Sequence, residues 1–226
     1  MCARYCLHET NALIQALFDL EFFPSEWEAR YNIAPTNLAP IVGRFGGLRK
    51  AIVARWGLVP SFSAEIGGRP LINARAETAF EKPSFRTSIR SRRCLVPANG
   101  FFEWKEIGKQ EQPHYIQLAG GKPMALAGVF DQWNGPDGPV ISYAVITRAA
   151  NPFMSAIHDR MPVILSSEWW DPWLDAGIRD EERLRVAIES AEDVELMSRL
   201  VDPKMGSTKV QGPEVLKAPI QATLEF

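Results

Sequence analysis

Thiols are scarce: Cys2, Cys6 and Cys94 are the only cysteines in 226 residues. An odd, sparse set cannot supply a disulfide framework and fits a reducing cytosol. No Cys-x-x-Cys pair occurs and the three histidines are scattered, so neither a metal site nor another cofactor is expected. No apolar run reaches the roughly eighteen residues that a membrane helix needs. The start, Met1-Cys2-Ala3-Arg4-Tyr5-Cys6, lacks the charged-then-apolar layout of a secretory signal. A cytoplasmic monomer is the expectation. Excess positive charge is also missing. The net charge of −2 gives the whole molecule no affinity for polyanions.

What is present is enough apolar material, 46% of residues, for one sizeable core. Seventeen prolines and sixteen glycines spread along the chain call for many short elements rather than a helical bundle. A helix is expected over Asn11–Leu20, capped by Thr10, and a helix interrupted near Pro83 over Ala76–Arg90. Further helices are read at Glu168–Leu174 and Arg179–Ser190. Strands are expected at Leu38–Arg44, Lys50–Trp56, Cys94–Pro97, Phe101–Lys105, His114–Leu118, Met124–Gln132, Val140–Thr147 and Val194–Leu200. A longer loop around Asn134–Gly138 would join two of them. Strands dominate without regular βαβ alternation. The expected fold is therefore α+β, a single domain over residues 1–226, with a mostly antiparallel sheet or open β-barrel flanked by short helices.

Charge is unevenly placed. Arg69, Arg75, Lys82, Arg86, Arg90, Arg92 and Arg93 face only Glu77 and Glu81 within one stretch, while the acidic excess lies between Asp171 and Glu195. A basic face with an acidic back suits a phosphate backbone locally, although a solvated charged surface would look the same.

Cys2 is the most informative residue. With Met1 removed it becomes a 1,2-aminothiol. Its amine condenses with an aldehyde to an imine, and its thiol then closes a five-membered thiazolidine. Unperturbed pKa values of about 7.7–8.0 for the amine and about 8.5 for the thiol leave both usable nucleophilic fractions near neutrality. The bland alternative is a small apolar residue at a buried terminus.

Three polar residues interrupt apolar stretches. Asn73 follows Leu71-Ile72, Glu103 lies between Phe102 and Trp104, and His158 follows Ala156-Ile157. A buried carboxylate there would have a raised pKa suited to proton transfer. Alternation puts Glu103 on one strand face with Phe101 and Lys105. The alternatives are an exposed Glu103 paired with Lys105, a loop histidine held by Asp159 or a backbone carbonyl, and a capping role for Asn73.

Six ordered segments resemble the successive motifs of the SRAP family (SOS response-associated peptidase). They are Met1-Cys2-Ala3-Arg4-Tyr5, Arg30–Thr36, Trp56-Gly57-Leu58-Val59-Pro60, Ile72–Thr78, Arg93–Trp104 and Ile157-His158-Asp159-Arg160-Met161-Pro162. The resemblance implies that Cys2 forms a thiazolidine with the opened sugar of an abasic site in single-stranded DNA, shielding the site during the damage response. Asn73 would hydrogen-bond the reacting centre, Glu103 would deprotonate the amine, and His158 would shuttle a proton to the sugar oxygen. It also implies DNA contacts from Arg4, Asn32, Pro35, Arg75, Arg86, Trp104, Thr147 and Arg160. Phe62 sits where the family carries an aromatic wedge, which would serve at junctions with duplex. The imine opens a β-elimination route, hence lyase activity, and the family name reflects self-cleavage behind Met1.

Two departures stand out: Ala3 replaces the usual glycine, and Ser61-Phe62-Ser63 is less aromatic than usual. Two other functions compete, a thiol peptidase using Cys2 or Cys94 with His158, and a noncovalent single-stranded DNA module. Trp56 is expected to be core.

Overall fold

The computed structural model describes residues 2–219, the side chains of residues 192 and 193 aside. In chain order the first strands are β1 (Arg4–Leu7), β2 (Arg30–Ile33), β3 (Leu38–Phe45), β4 (Leu48–Trp56), β5 (Asn73–Arg75) and β6 (Arg93–Ala98). Then come β7 (Gly100–Ile107), β8 (Gln110–Leu118), β9 (Met124–Gly135), β10 (Gly138–Ala149), β11 (Arg160–Pro162), β12 (Ile164–Leu165) and β13 (Leu196–Leu200). The helices are short: α1 (Asn11–Leu17), α2 (Arg86–Ser91), α3 (Pro152–Ser155), α4 (Trp170–Leu174) and α5 (Glu181–Glu189).

Two sheets result. The smaller runs β13-β8-β7-β1-β2. In the larger, β10-β4-β3-β6-β9 closes into a ring because β9 also pairs with β10. The mostly antiparallel α+β architecture matches expectation, and closure goes one step beyond the open barrel. Among the strands of the described residues, parallel pairing enters where β10 meets β4 and β5, with one isolated parallel bridge at Phe22↔Lys50. Every residue of β6 is buried, as a strand inside the ring requires.

Local sequence explains the clearest elements. The β3–β4 turn is Gly46-Gly47 with φ of 64° and 83°, the left-handed pair that a two-residue hairpin favours. β9 and β10 extend to Gly135 and Gly138, so only Pro136 and Asp137 turn the chain, fewer residues than the loop expected there. Thr10 accepts from the Leu13 N–H at 3.3 Å and caps α1. Residues 76–85 form turns, and helix appears only at α2. This corrects the longer helix expected from Ala76, because Pro83 lacks an N–H and disfavours helical backbone before it.

The main core fills the ring and the space between the sheets. Trp56 belongs to it fully, edge-on to Tyr5 at 5.1 Å and stacked on Tyr143 at 6.4 Å. A second cluster, Cys6, Phe102, Tyr115, Val201, Met205 and Val215, lies on the opposite face of the smaller sheet under the 203–216 segment.

Asn32 and Arg4 fasten that segment. The Asn32 amide donates to the carbonyls of Met205, Ser207 and Val210 at 2.9, 3.1 and 3.0 Å, and its oxygen accepts from Arg4 at 3.2 Å. Asn32 is fully buried. Replacing it with alanine strands those carbonyls, so Asn32→Ala should lower stability by about 2–3 kcal/mol in urea unfolding. Trypsin should then cut faster at Lys204 and Lys209. Unchanged stability and cleavage would show that the segment is held by apolar packing alone.

Candidate functional site

The site begins where β1 begins. β1 pairs antiparallel with β7 through Arg4↔Phe102 and Tyr5↔Phe101, so continuing the register past Arg4 carries the chain start alongside Glu103. β7 is itself held close to β8 at Gly100. A Cβ there would lie 2.5 Å from both the Ile116 carbonyl oxygen and the Tyr115 ring. From the larger sheet, β5 delivers Asn73, whose amide donates to the Cys2 carbonyl at 2.8 Å. The Asn73 Oδ1 is buried and accepts no hydrogen bond among the described residues. The segment entering β11 brings His158, with Nε2 3.9 Å from Glu103 Oε2. Cys2, Asn73, Glu103 and His158, distant in sequence, therefore converge.

Their environment sets their chemistry. Glu103 is 2% exposed, and burial pushes its carboxyl up to about 7, with the Asp159 charge acting in the same direction. The exposed pairing with Lys105 is thus ruled out. Burial holds His158 below the usual histidine range, although Asp159 and Glu106 oppose that. Its Nδ1 lies 2.9 Å from Asp159 Oδ1 and accepts from the Arg160 backbone N–H at 2.9 Å.

Cys2 is fully buried, and burial with the nearby Glu103 charge raises its thiol far above the ordinary range. The usable thiolate fraction expected near neutrality is therefore corrected: desolvation removes it. Cys94 is also buried in the core with a strongly raised thiol, which disfavours it as a peptidase nucleophile. The expected removal of Met1 concerns a residue outside those described.

The expected DNA contacts divide. Arg75 and Arg86 are exposed, the latter on α2. Phe62 is 68% exposed. Its loop is tethered by Ser61 N–H to Asp131 at 2.9 Å, Trp133 Nε1 to the Ser63 carbonyl at 2.7 Å and Val59 N–H to Ser142 at 2.8 Å. Pro35, half-buried, follows β2. Arg160 is gripped by Glu77 at 2.5 and 2.9 Å and donates to the Thr147 carbonyl at 2.9 Å.

Four of the expected contacts have partners or packing within the protein. Thr147 is fully buried in β10, with no surface to offer a strand. Asn32 has spent its amide on carbonyls. Arg4 is committed to Asn32 and to the Gly206 carbonyl at 3.2 Å. Trp104 packs half-buried on the second cluster, across β7 from Glu103.

Sequence reasoning did not foresee Glu77 as the partner of Arg160, and it named Asp159 only in the alternative reading of His158. It also missed the buried Tyr5–Tyr143 hydroxyl pair at 2.5 Å, for which alternation gave no signal. Among the described residues no group of three His, Cys, Asp or Glu is arranged to hold a metal, and no helix is long and apolar enough to cross a membrane.

Residues 1–208 match the family model described as SOS response associated peptidase (SRAP). The abasic site processing protein YoqW of Bacillus subtilis (strain 168) is 35% identical over 223 residues, covering 96% of this chain and 100% of that protein. The abasic site processing protein YedK of Escherichia coli (strain K12) is 29% identical over 228 residues, covering 96% and 99%. A solved structure of a Bacteroides thetaiotaomicron protein superposes with a TM-score of 0.82 at 22% identity, covering 97% of this chain and 100% of that one. That likeness shows the shared fold.

Burial of Glu103 has a measurable cost. Its carboxyl titrates higher folded than unfolded, so ionisation destabilises the fold above pH ~7. The penalty shrinks as pH falls from about 7 and vanishes below the unfolded value of about 4.3. Glu103→Gln should therefore exceed the parent in stability at pH 8 by about 1–3 kcal/mol and converge with it near pH ~4. Urea unfolding at the two pH values checks this. A parent more stable at pH 8 would mean that burial does not dominate.

Proposed function

The chain belongs to the SOS response associated peptidase (SRAP) family, and from that premise we propose that it captures abasic sites in single-stranded DNA, at duplex junctions included, through a covalent thiazolidine on Cys2. The observation carrying this reading is the convergence of Asn73, Glu103 and His158 on the start of the chain. Relatives named as abasic site processing proteins support the substrate class.

The chemistry balances as follows. Hydrolysis of the Met1–Cys2 peptide bond, by self-cleavage or by an aminopeptidase, frees the Cys2 amine. The unprotonated amine adds to the aldehyde of the ring-opened deoxyribose, and the resulting carbinolamine loses water to give an imine. The thiol then adds across C=N: sulfur bonds to carbon, and one proton ends on nitrogen. Glu103, with its raised pKa, takes the proton that keeps the amine nucleophilic. His158 supplies and recovers the proton at the sugar oxygen during opening. Asn73 orients the Cys2 carbonyl and keeps its own oxygen available as an acceptor at the reacting centre. Because the thiol is held neutral, the amine attacks first and sulfur second. β-Elimination from the imine would give lyase activity, and rapid ring closure by sulfur competes with it.

Arg75 and Arg86 serve as phosphate contacts, and Phe62 offers a stacking face where the duplex ends.

The test is incubation of protein, with Met1 loss verified by mass spectrometry, with an abasic single-stranded oligonucleotide. A denaturation-resistant adduct attached at Cys2 is expected. Cys2→Ala should abolish it, and Asn73→Ala, Glu103→Gln and His158→Ala should each slow its formation by about 10–1,000-fold. No adduct from verified protein, or binding indifferent to Cys2 and to the abasic site, would overturn the proposal.

A further inference from the structure

We propose that Asp159 is a positioning residue for His158, its carboxylate alternating with the Arg160 backbone N–H as the partner of the imidazole Nδ1. The inference rests on the proton-shuttle role just proposed for His158. Its physical basis is a conflict at one atom. Nδ1 lies 2.9 Å from Asp159 Oδ1 and 2.9 Å from the Arg160 backbone nitrogen, and it has a single in-plane position for a proton or a lone pair. The Arg160 N–H needs the lone pair there, whereas the Asp159 carboxylate needs a proton. The two contacts belong to different proton states of the ring.

Each state has a different capability at Nε2, the nitrogen facing Glu103. With Arg160 as partner, the neutral ring carries its proton on Nε2. It cannot accept another there, and giving that one up would create an imidazolate. This resting state is inert as a shuttle. With Asp159 as partner the ring carries Nδ1–H. Its Nε2 lone pair then accepts a proton from the substrate, and the resulting imidazolium can return it. Both the base and the acid form therefore require Asp159, as an imidazole working at one nitrogen requires an acceptor at the other.

The surroundings agree. The charged groups facing His158 are Glu103 and Glu106 from β7 and Asp159 from its own loop, joined by the Cys2 amine once Met1 is gone. The Asp159 charge is also felt at Glu103, although its side chain is 85% exposed. The neighbouring cation does not compete for it, since Arg160 is committed to Glu77.

Asp159→Asn is the informative variant because the new amide can donate to Nδ1 and trap the resting tautomer. The residue is exposed, so the fold should tolerate the change. Nitrogen-15 NMR of His158 across pH, on protein without DNA, should show the Nε2–H tautomer dominant in the variant and the midpoint moved to lower pH. The rate of adduct formation should fall about 10–100-fold, and the acid limb of its pH profile should move the same way. Asp159→Glu should recover most of the rate. The double variant Asp159→Asn/His158→Ala should be no slower than His158→Ala alone. An unchanged tautomer and midpoint in Asp159→Asn, or multiplicative slowing in the double variant, would overturn the inference. Should the parent form no adduct, the proposed function falls, and the NMR titration still decides the role of Asp159.

Discussion

The pairing of β1 with β7 is the interaction on which the rest depends. Four residues make a weak strand by themselves. This one is held between β7 and β2 in the middle of a five-stranded sheet, so both edges are satisfied. Centrality fixes the register, and register fixes chemistry. Shifting β1 by one residue would exchange Tyr5 in the main core with Arg4 on the other face. The same shift would carry Cys2 away from the Asn73 amide. A close approach at Gly100 lets β7 lie against β8, so a residue with no side chain helps hold the strand that carries Glu103.

Burial at the chain start then imposes an order on events. A carboxyl and a thiol removed from water both favour their neutral forms, but with different consequences. The carboxyl reaches a range where it exchanges protons near neutrality. The thiol moves out of that range. In the proposed chemistry sulfur would therefore follow an amine attack rather than lead one, unlike a thiol peptidase, where thiolate attack comes first. The destabilising charge on Glu103 is tolerated because the surrounding core is large.

Legibility of the sequence followed element length. β3, β4, β9 and β10 were readable because eight to twelve residues of pattern and a Gly-Gly turn leave little ambiguity. β1, β2, β5 and β11 were not, since three or four residues show no period. Those short strands carry or adjoin Cys2, Asn73 and His158. The four site residues were visible as polar interruptions of apolar runs. The intramolecular partners of Arg4, Asn32 and Trp104 were not visible, because a motif does not say which face of a strand a residue takes. All three hold or pack under the 203–216 segment.

A second strand, β10, does for the proposed DNA-facing side what β1 does for the proposed nucleophile. Its Ser142 receives the Val59 N–H of the Phe62 loop, its Val145 pairs with Asn73, and its Thr147 carbonyl anchors Arg160. The tip aromatic, the orienting amide and the histidine segment are thus indexed to positions along one backbone. Because β10 closes the barrel against β9, β4 and β5 at once, it cannot slide without breaking three pairings. The spacing between Phe62 and the start of the chain is set during folding, so the proposed DNA binding would leave little ordering cost. A chain with net negative charge can then rely on a few well-placed cations rather than a broad electrostatic field.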